Sequence, residues 1–237
     1  MLRKAINVMN KTVDRVILVV SLLFFLICFY AMFDAVMVYY NANDSSILKY
    51  KPELEHPEVL LELSDDAVAW LTVDDTNIDY PVMQGVDNSK YLNKDPYGRY
   101  SLSGSIFLDS RCAKDFSGEY SLIYGHHMEY GSMFGALDEF IKPDYFYSHR
   151  TGTLITIFGK NYSISFFAAV KAQATEPVIF DPDESNNTDL LAFLKENSIT
   201  YEPPAGGAGA KMIALSTCQS AETIERMIVV GTLTEIS

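Results

Sequence analysis

Residues 16–33 are uncharged and almost wholly apolar, and that run decides how the rest of the chain must be read. Its eighteen residues approach the ~20 that an α-helix needs to cross a bilayer core. No polar residues alternate through it, so it lacks the single apolar stripe of a helix packed on a soluble core. Arg3, Lys4, Lys11 and Arg15 precede the run, and the apolar pattern continues past Asp34 to Tyr40, where tyrosines suit a membrane–water interface. A cleaved signal peptide is the alternative. However, the run exceeds the usual apolar region of such a peptide, and no Ala-x-Ala cleavage site follows it. The basic flank orients the N-terminus to the cytoplasm. The expected order is a basic tail at 1–15, a transmembrane signal-anchor at 16–40, a connector at 41–56 and an extracytoplasmic domain at 57–237.

Beyond residue 40 the chain carries 14 basic and 29 acidic residues, a net of −15. Nucleic-acid binding needs clustered cations, so that function class is excluded. About 197 residues suffice for a core without disulfide staples. Cys28 lies in the apolar run, leaving Cys112 and Cys218 outside. Two cysteines do not make a disulfide scaffold. A Cys112–Cys218 bridge would consume the one cysteine with a reactive setting.

Short β-branched and aromatic runs at 78–84, 104–109, 121–124, 152–158, 162–172, 211–217 and 226–235 are separated by Gly, Pro, Asn and Asp, and read as strands. Pro57 and Ser64 suit the starts of two short helical pieces, at 57–63 and 64–71. Helical inserts are expected at 132–141 and 188–197, the second with Thr188 as cap and a stripe of Leu190, Leu191 and Leu194. Seven to eight strands with few helices predict a mainly β fold, a closed barrel rather than a parallel α/β sheet.

Cys218 ends the strand at 211–217, and Arg226 opens the next. In an antiparallel hairpin the two would lie near one another, a thiol beside a fixed cation. A buried, inert cysteine is the ordinary alternative. His126 and His127 follow the strand at 121–124, and Gly125 before them permits a close approach. Consecutive residues of an extended chain point opposite ways, so one of the pair faces the site and the two poorly share a metal. No metal and no other cofactor is expected. His56 and His149 read as solvated.

These motifs resemble a sortase, more narrowly a class B sortase. The resemblance is carried by Leu-Ser-Thr-Cys at 215–218, Arg226 before Met-Ile-Val-Val-Gly, Tyr-Gly-His-His-Met at 124–128 and Gly-Ser-Met-Phe at 131–134. Further matches are Trp-Leu-Thr-Val-Asp-Asp-Thr-Asn-Ile-Asp-Tyr-Pro-Val at 70–82, Gly-Val-Asp-Asn-Ser-Lys-Tyr-Leu at 85–92 and Gly-Ser-Ile-Phe-Leu-Asp at 104–109. It covers the chain from about residue 55 onward and implies a sortase-like barrel with N-terminal helices and a helix inserted before the cysteine strand. It implies Cys218 as nucleophile, His126 as catalytic histidine and Arg226 as catalytic arginine, with Asn88, Leu92, Tyr124 and Ser216 contacting a peptide. His127, where Asn is common, and Gln219-Ser220, in place of an acidic–aromatic pair, are departures expected at the rim.

What the resemblance implies is a membrane-anchored cysteine transpeptidase on a Gram-positive-type surface. Its partners would be the sorting-signal peptide of a surface protein or pilin, cleaved after Thr, and an amine from a peptidoglycan precursor or a pilin lysine. The residue types suit this chemistry independently, since a thiolate forms acyl intermediates, a histidine carries protons and an arginine stabilises an oxyanion. Two alternatives remain at this level: a cysteine peptidase acting by hydrolysis, and a non-catalytic, membrane-tethered peptide-binding barrel in which Cys218 is inert.

Overall fold

The computed structural model describes residues 2–42, 45–128, 131–217 and 225–236. Two compact units are present, Met1–Asn41 and Ala42–Ser237. In the first, α1 (Leu2–Ala42) is a single helix of 41 residues, about 60 Å long at 1.5 Å per residue. From Met9 to Met37 its large apolar side chains are exposed, Phe24 at 68% and Tyr30 at 69% among them. By length and composition α1 can cross a membrane, with a mean hydropathy of 2.9 over its most apolar window.

In the second unit, among the described residues, nine strands follow one another: β1 (Ala67–Val73), β2 (Asp79–Met83), β3 (Ile106–Leu108), β4 (Tyr120–Gly125), β5 (Thr151–Thr156), β6 (Asn161–Gln173), β7 (Thr200–Tyr201), β8 (Lys211–Thr217) and β9 (Glu225–Ile236). Their order is β5-β1-β2-β3-β4-β8-β9-β6, and pairing of β5 with β6 closes eight of them into a barrel. β7 continues along β6 beyond the end of β5, with Ala168 opposite Tyr201. The pairs β2–β3 and β4–β8 are parallel, and the rest are antiparallel. The mainly β barrel expected from the sequence is the fold observed. Trp70, Tyr162, Phe116, Phe134, Phe140, Phe146 and Phe166 are its largest fully buried side chains.

One expected helix is a strand. Residues 64–71 do not coil; most of them belong to β1, laddered to β2 on one side and β5 on the other. A strand covered on both faces shows no alternation to read, and six of the seven residues of β1 are buried. Ser64 accepts a hydrogen bond from Asp66 N at 3.2 Å, closing a turn instead of capping a helix. The piece at 57–63 is a 3-10 turn, Pro57–Glu62.

The insert at 132–141 is the 3-10 segment Gly135–Ile141, followed by α2 (Pro143–Ser148). The helix before the cysteine strand is α4 (Asn187–Asn197), capped by Asn186 rather than Thr188: its side chain accepts from Asp189 N at 3.0 Å. Four residues form α3 (Pro177–Phe180), too short to show a period. The connector is partly docked: Ser45–Tyr50 is a 3-10 turn, Ile47 and Tyr50 pack on the core, and Lys51 Nζ pairs with Asp79 at 2.8 Å.

Candidate active site

The barrel order brings three distant pieces of chain to one end. β4 runs parallel to β8 with Tyr124 opposite Ser216 and Gly125 opposite Thr217. β8 runs antiparallel to β9, where Ser216 faces Ile228, and Met227 N donates to Thr217 Oγ1 at 3.0 Å. The C-terminal ends of β4 and β8 therefore meet the N-terminal end of β9. His126 leaves β4 there and Arg226 enters β9 there. Both line one cleft of about 480 Å³ together with Asn88, Leu92, Asn93, Phe107 and Tyr124. Cys218, together with Gln219 and Ser220, lies outside the described residues.

Gly125 makes the turn-off from β4 feasible. A Cβ there would fall 2.7 Å from Phe134 Cγ and against Ile106 Cδ1, so only glycine admits the packed Phe134. Beyond it, among the described residues, the half-buried His126 ring is held by one bond, Nε2 to Leu92 O at 2.7 Å. A carbonyl only accepts, so Nε2 carries the proton, and in the neutral ring the lone pair is on Nδ1. When the ring is protonated, the Nε2 hydrogen stays on Leu92, and the proton free to leave is the one on Nδ1. Gly104, at φ +57°, supports this arrangement from below. A Cβ on it would lie 2.6 Å from Leu92 O and 2.8 Å from His126 Cδ2.

Arg226 turns its guanidinium against two rings, 4.9 Å from the centre of Phe180 and 5.7 Å from that of Tyr124. Those rings are nearly parallel, 10° apart with centroids at 6.5 Å. Among the described residues, Arg226 Nε is buried without a hydrogen-bond partner and no carboxylate pairs with the guanidinium.

Beneath the cleft wall lies Asp109, fully buried. Its carboxylate accepts from Arg111 Nε at 2.9 Å and Nη2 at 2.8 Å, from Arg111 N at 3.0 Å, from Asn88 Nδ2 at 2.8 Å and from Tyr124 OH at 3.3 Å. Burial alone would raise its pKa, but the Arg111 side-chain and backbone bonds, the Asn88 amide and the Arg111 charge together hold it below the usual carboxylate value. Burial first, and then the Asp109 charge, raise the Tyr124 phenol, which stays a neutral donor. Asn88 is committed twice, since its Oδ1 also accepts from Ser110 N at 2.8 Å. Sequence reasoning quoted the motif that ends at Asp109 without giving that residue a task; an isolated acid at a strand end, with Arg two residues on, was the available signal. It also passed over Phe107, Asn93, Arg111 and Phe180.

Other expected site residues fall elsewhere. Ser216 is fully buried, its Oγ donating to Thr217 O at 3.1 Å, and it does not line the cleft. His127 opens onto a separate cleft of about 640 Å³ with Asp75, Asn77, Glu139 and Tyr145, and its Nε2 bonds Asp138 Oδ2 at 2.7 Å. The two adjacent histidines thus face different clefts. Cys112 is free and 7% exposed, and burial pushes its thiol up to about 12, so at neutral pH it carries no thiolate.

A sortase domain model matches residues 71–234. Sortase B of Listeria monocytogenes is 33% identical over 178 residues, 73% of this chain and 72% of that protein. Sortase B of Staphylococcus aureus is 30% identical over 185 residues, 76% of this chain and 75% of that one. Among solved structures, a Streptococcus pyogenes class B sortase involved in pilus biogenesis is 40% identical with a TM-score of 0.69, covering 74% of this chain and 96% of that one. A Staphylococcus aureus sortase B–substrate complex has a TM-score of 0.69 at 29% identity, covering 76% of this chain and 85% of that one.

Proposed function

Since the chain belongs to the sortase family, as a class B cysteine transpeptidase, we propose that Cys218, His126 and Arg226 pass the acyl end of a sorting peptide to an amine at the surface of the membrane that α1 spans. The observation that carries this reading is the convergence of His126 and Arg226 on one cleft at the end of β4 and β8. The Cys218 thiolate attacks the carbonyl carbon of a peptide threonine. Arg226 donates to the resulting oxyanion. The C–N bond breaks as His126 Nδ1 gives its proton to the departing amine, leaving a thioester. An incoming primary amine attacks that thioester, His126 Nδ1 takes its proton, and the thiolate leaves. Throughout, Leu92 O keeps the ring in place through Nε2. Asn88, Leu92 and Tyr124 form the wall on which the peptide lies.

The test is direct. Full-length protein in detergent, mixed with peptides built on a Pro-x-Thr core and with either triglycine or Nα-acetyl-lysine, should yield a Cys218-linked acyl adduct and an amide product by mass spectrometry. Preference for triglycine assigns the wall cross-bridge, and preference for the lysine amine assigns pilin joining. Hydrolysis alone, unchanged by either amine, would make the protein a peptidase and sink the transfer step.

The membrane arrangement rests on the apolar run within α1 and on the basic residues of the same helix that precede that run. Protease added outside intact, wall-stripped cells should digest the barrel and leave an N-terminal epitope protected. Digestion of the epitope with a protected barrel reverses the proposed orientation.

A further inference from the structure

We infer that Phe180, held at the end of α3 by Arg111, is a positioning residue that aims the Arg226 guanidinium into the cleft. The inference deepens the reading above and rests on Arg226 being the cation of the reaction. An acid beside an arginine would fix it, but would also neutralise its charge and occupy its donors. Here the guanidinium lies against two rings. A cation lying on a ring face is held by the ring's quadrupole, and no N–H is consumed. The planar guanidinium also stacks where an ammonium would not, so orientation as well as position is set. Among the described residues no carboxylate takes up the guanidinium, and Arg226 lines the cleft of the reaction proposed above.

That shelf works only if Phe180 is itself fixed, and α3 is too short to hold its own end. Two donors from the barrel do so. Tyr120 OH on β4 bonds Ile179 O at 2.9 Å, and Arg111 Nη2 bonds Phe180 O at 2.7 Å. Arg111 Nη1 reaches the next residue, Asp181 Oδ1, at 3.0 Å, while the other side of the same guanidinium grips Asp109. Arg111 is therefore a strut between the buried carboxylate after β3 and the end of α3. Phe180 is 9% exposed, so it is a wall of the arginine's seat and presents little surface to a peptide.

A double-mutant cycle on the full-length protein tests this. Phe180→Leu should lower kcat about tenfold and move KM less than twofold, whereas Phe180→Trp should retain near wild-type turnover. In an Arg226→Ala background, followed by single-turnover thioester formation at high enzyme concentration, Phe180→Leu should produce no further loss. Arg111→Lys should reproduce the kcat defect in part, with a folded thermal transition, and it covers the case in which Phe180→Leu fails to fold. An equal loss in both backgrounds, a change in KM alone, or unchanged turnover in Phe180→Leu and Arg111→Lys would each overturn the positioning role. Wild-type turnover in Arg226→Ala itself would instead remove the catalytic assignment beneath it.

Discussion

Cys218→Ala should give a folded protein with no thioester adduct and a peptide-to-amine transfer rate reduced at least ~10³-fold, because the step that splits the reaction in two needs the thiolate. His126→Gln should fall by a similar ~10³-fold. The glutamine variant is informative because its amide can still donate to Leu92 O, the bond that holds the native ring at 2.7 Å. What it loses is Nδ1, the only ring nitrogen left to carry a proton. The measurement is single-turnover acylation by intact-protein mass spectrometry, with thermal melting as the control for folding. If His126→Gln acylates at the wild-type rate, proton transfer does not pass through Nδ1 and the mechanism fails. The buried Cys112 thiol offers no rescue, since its pKa is pushed up to about 12.

Asp109→Asn should lower the thermal midpoint by roughly 5–10 °C, from a loss of about 2–3 kcal/mol. The variant keeps the shape but strips the charge from a fully buried carboxylate that gathers Arg111, Asn88 and Tyr124. Its pH dependence has a definite sign. The folded carboxyl sits below its ordinary value, so its contribution is complete above the unfolded value and disappears as pH falls through the folded one. The gap between wild type and variant should stand at full size above about pH 5 and close below about pH 4. A gap undiminished in acid would show that the loss comes from packing. Turnover should fall as well, because Asn88 and Tyr124 line the cleft and both lose an anionic acceptor.

Legibility followed the physics of each segment. The strand at 211–217 was read with its observed limits because its apolar centre, Met212 to Leu215, lies between a glycine-rich stretch and a polar one. β1 was misread as helix because burial on both faces erases the period-two signal, leaving Ser64 and the acids after it to imitate a helix start. The place of His126 and Arg226 in one cleft depends on β8 lying between β4 and β9, and no local pattern records strand order. The family resemblance supplied it instead. Asp109, Arg111 and Phe180 went unread for a different reason. Their importance lies in one another, and Arg111 and Phe180 are 69 positions apart. Cys218 was singled out from its strand and its neighbouring arginine; it lies outside the described residues.

The two strands that frame the site, β8 and β9, sit in the middle of the barrel order but come last in the chain. A growing polypeptide thus lays down β4 and β6 with nothing yet between them. His126 is made early, at the end of a strand that has β3 on one side and lacks β8 on the other until the final segment is made. Arg226 arrives only with that segment, and the longest ladder, β6 with β9, forms at the same moment. The cleft shared by His126 and Arg226 therefore exists only once the last-made strands are in place.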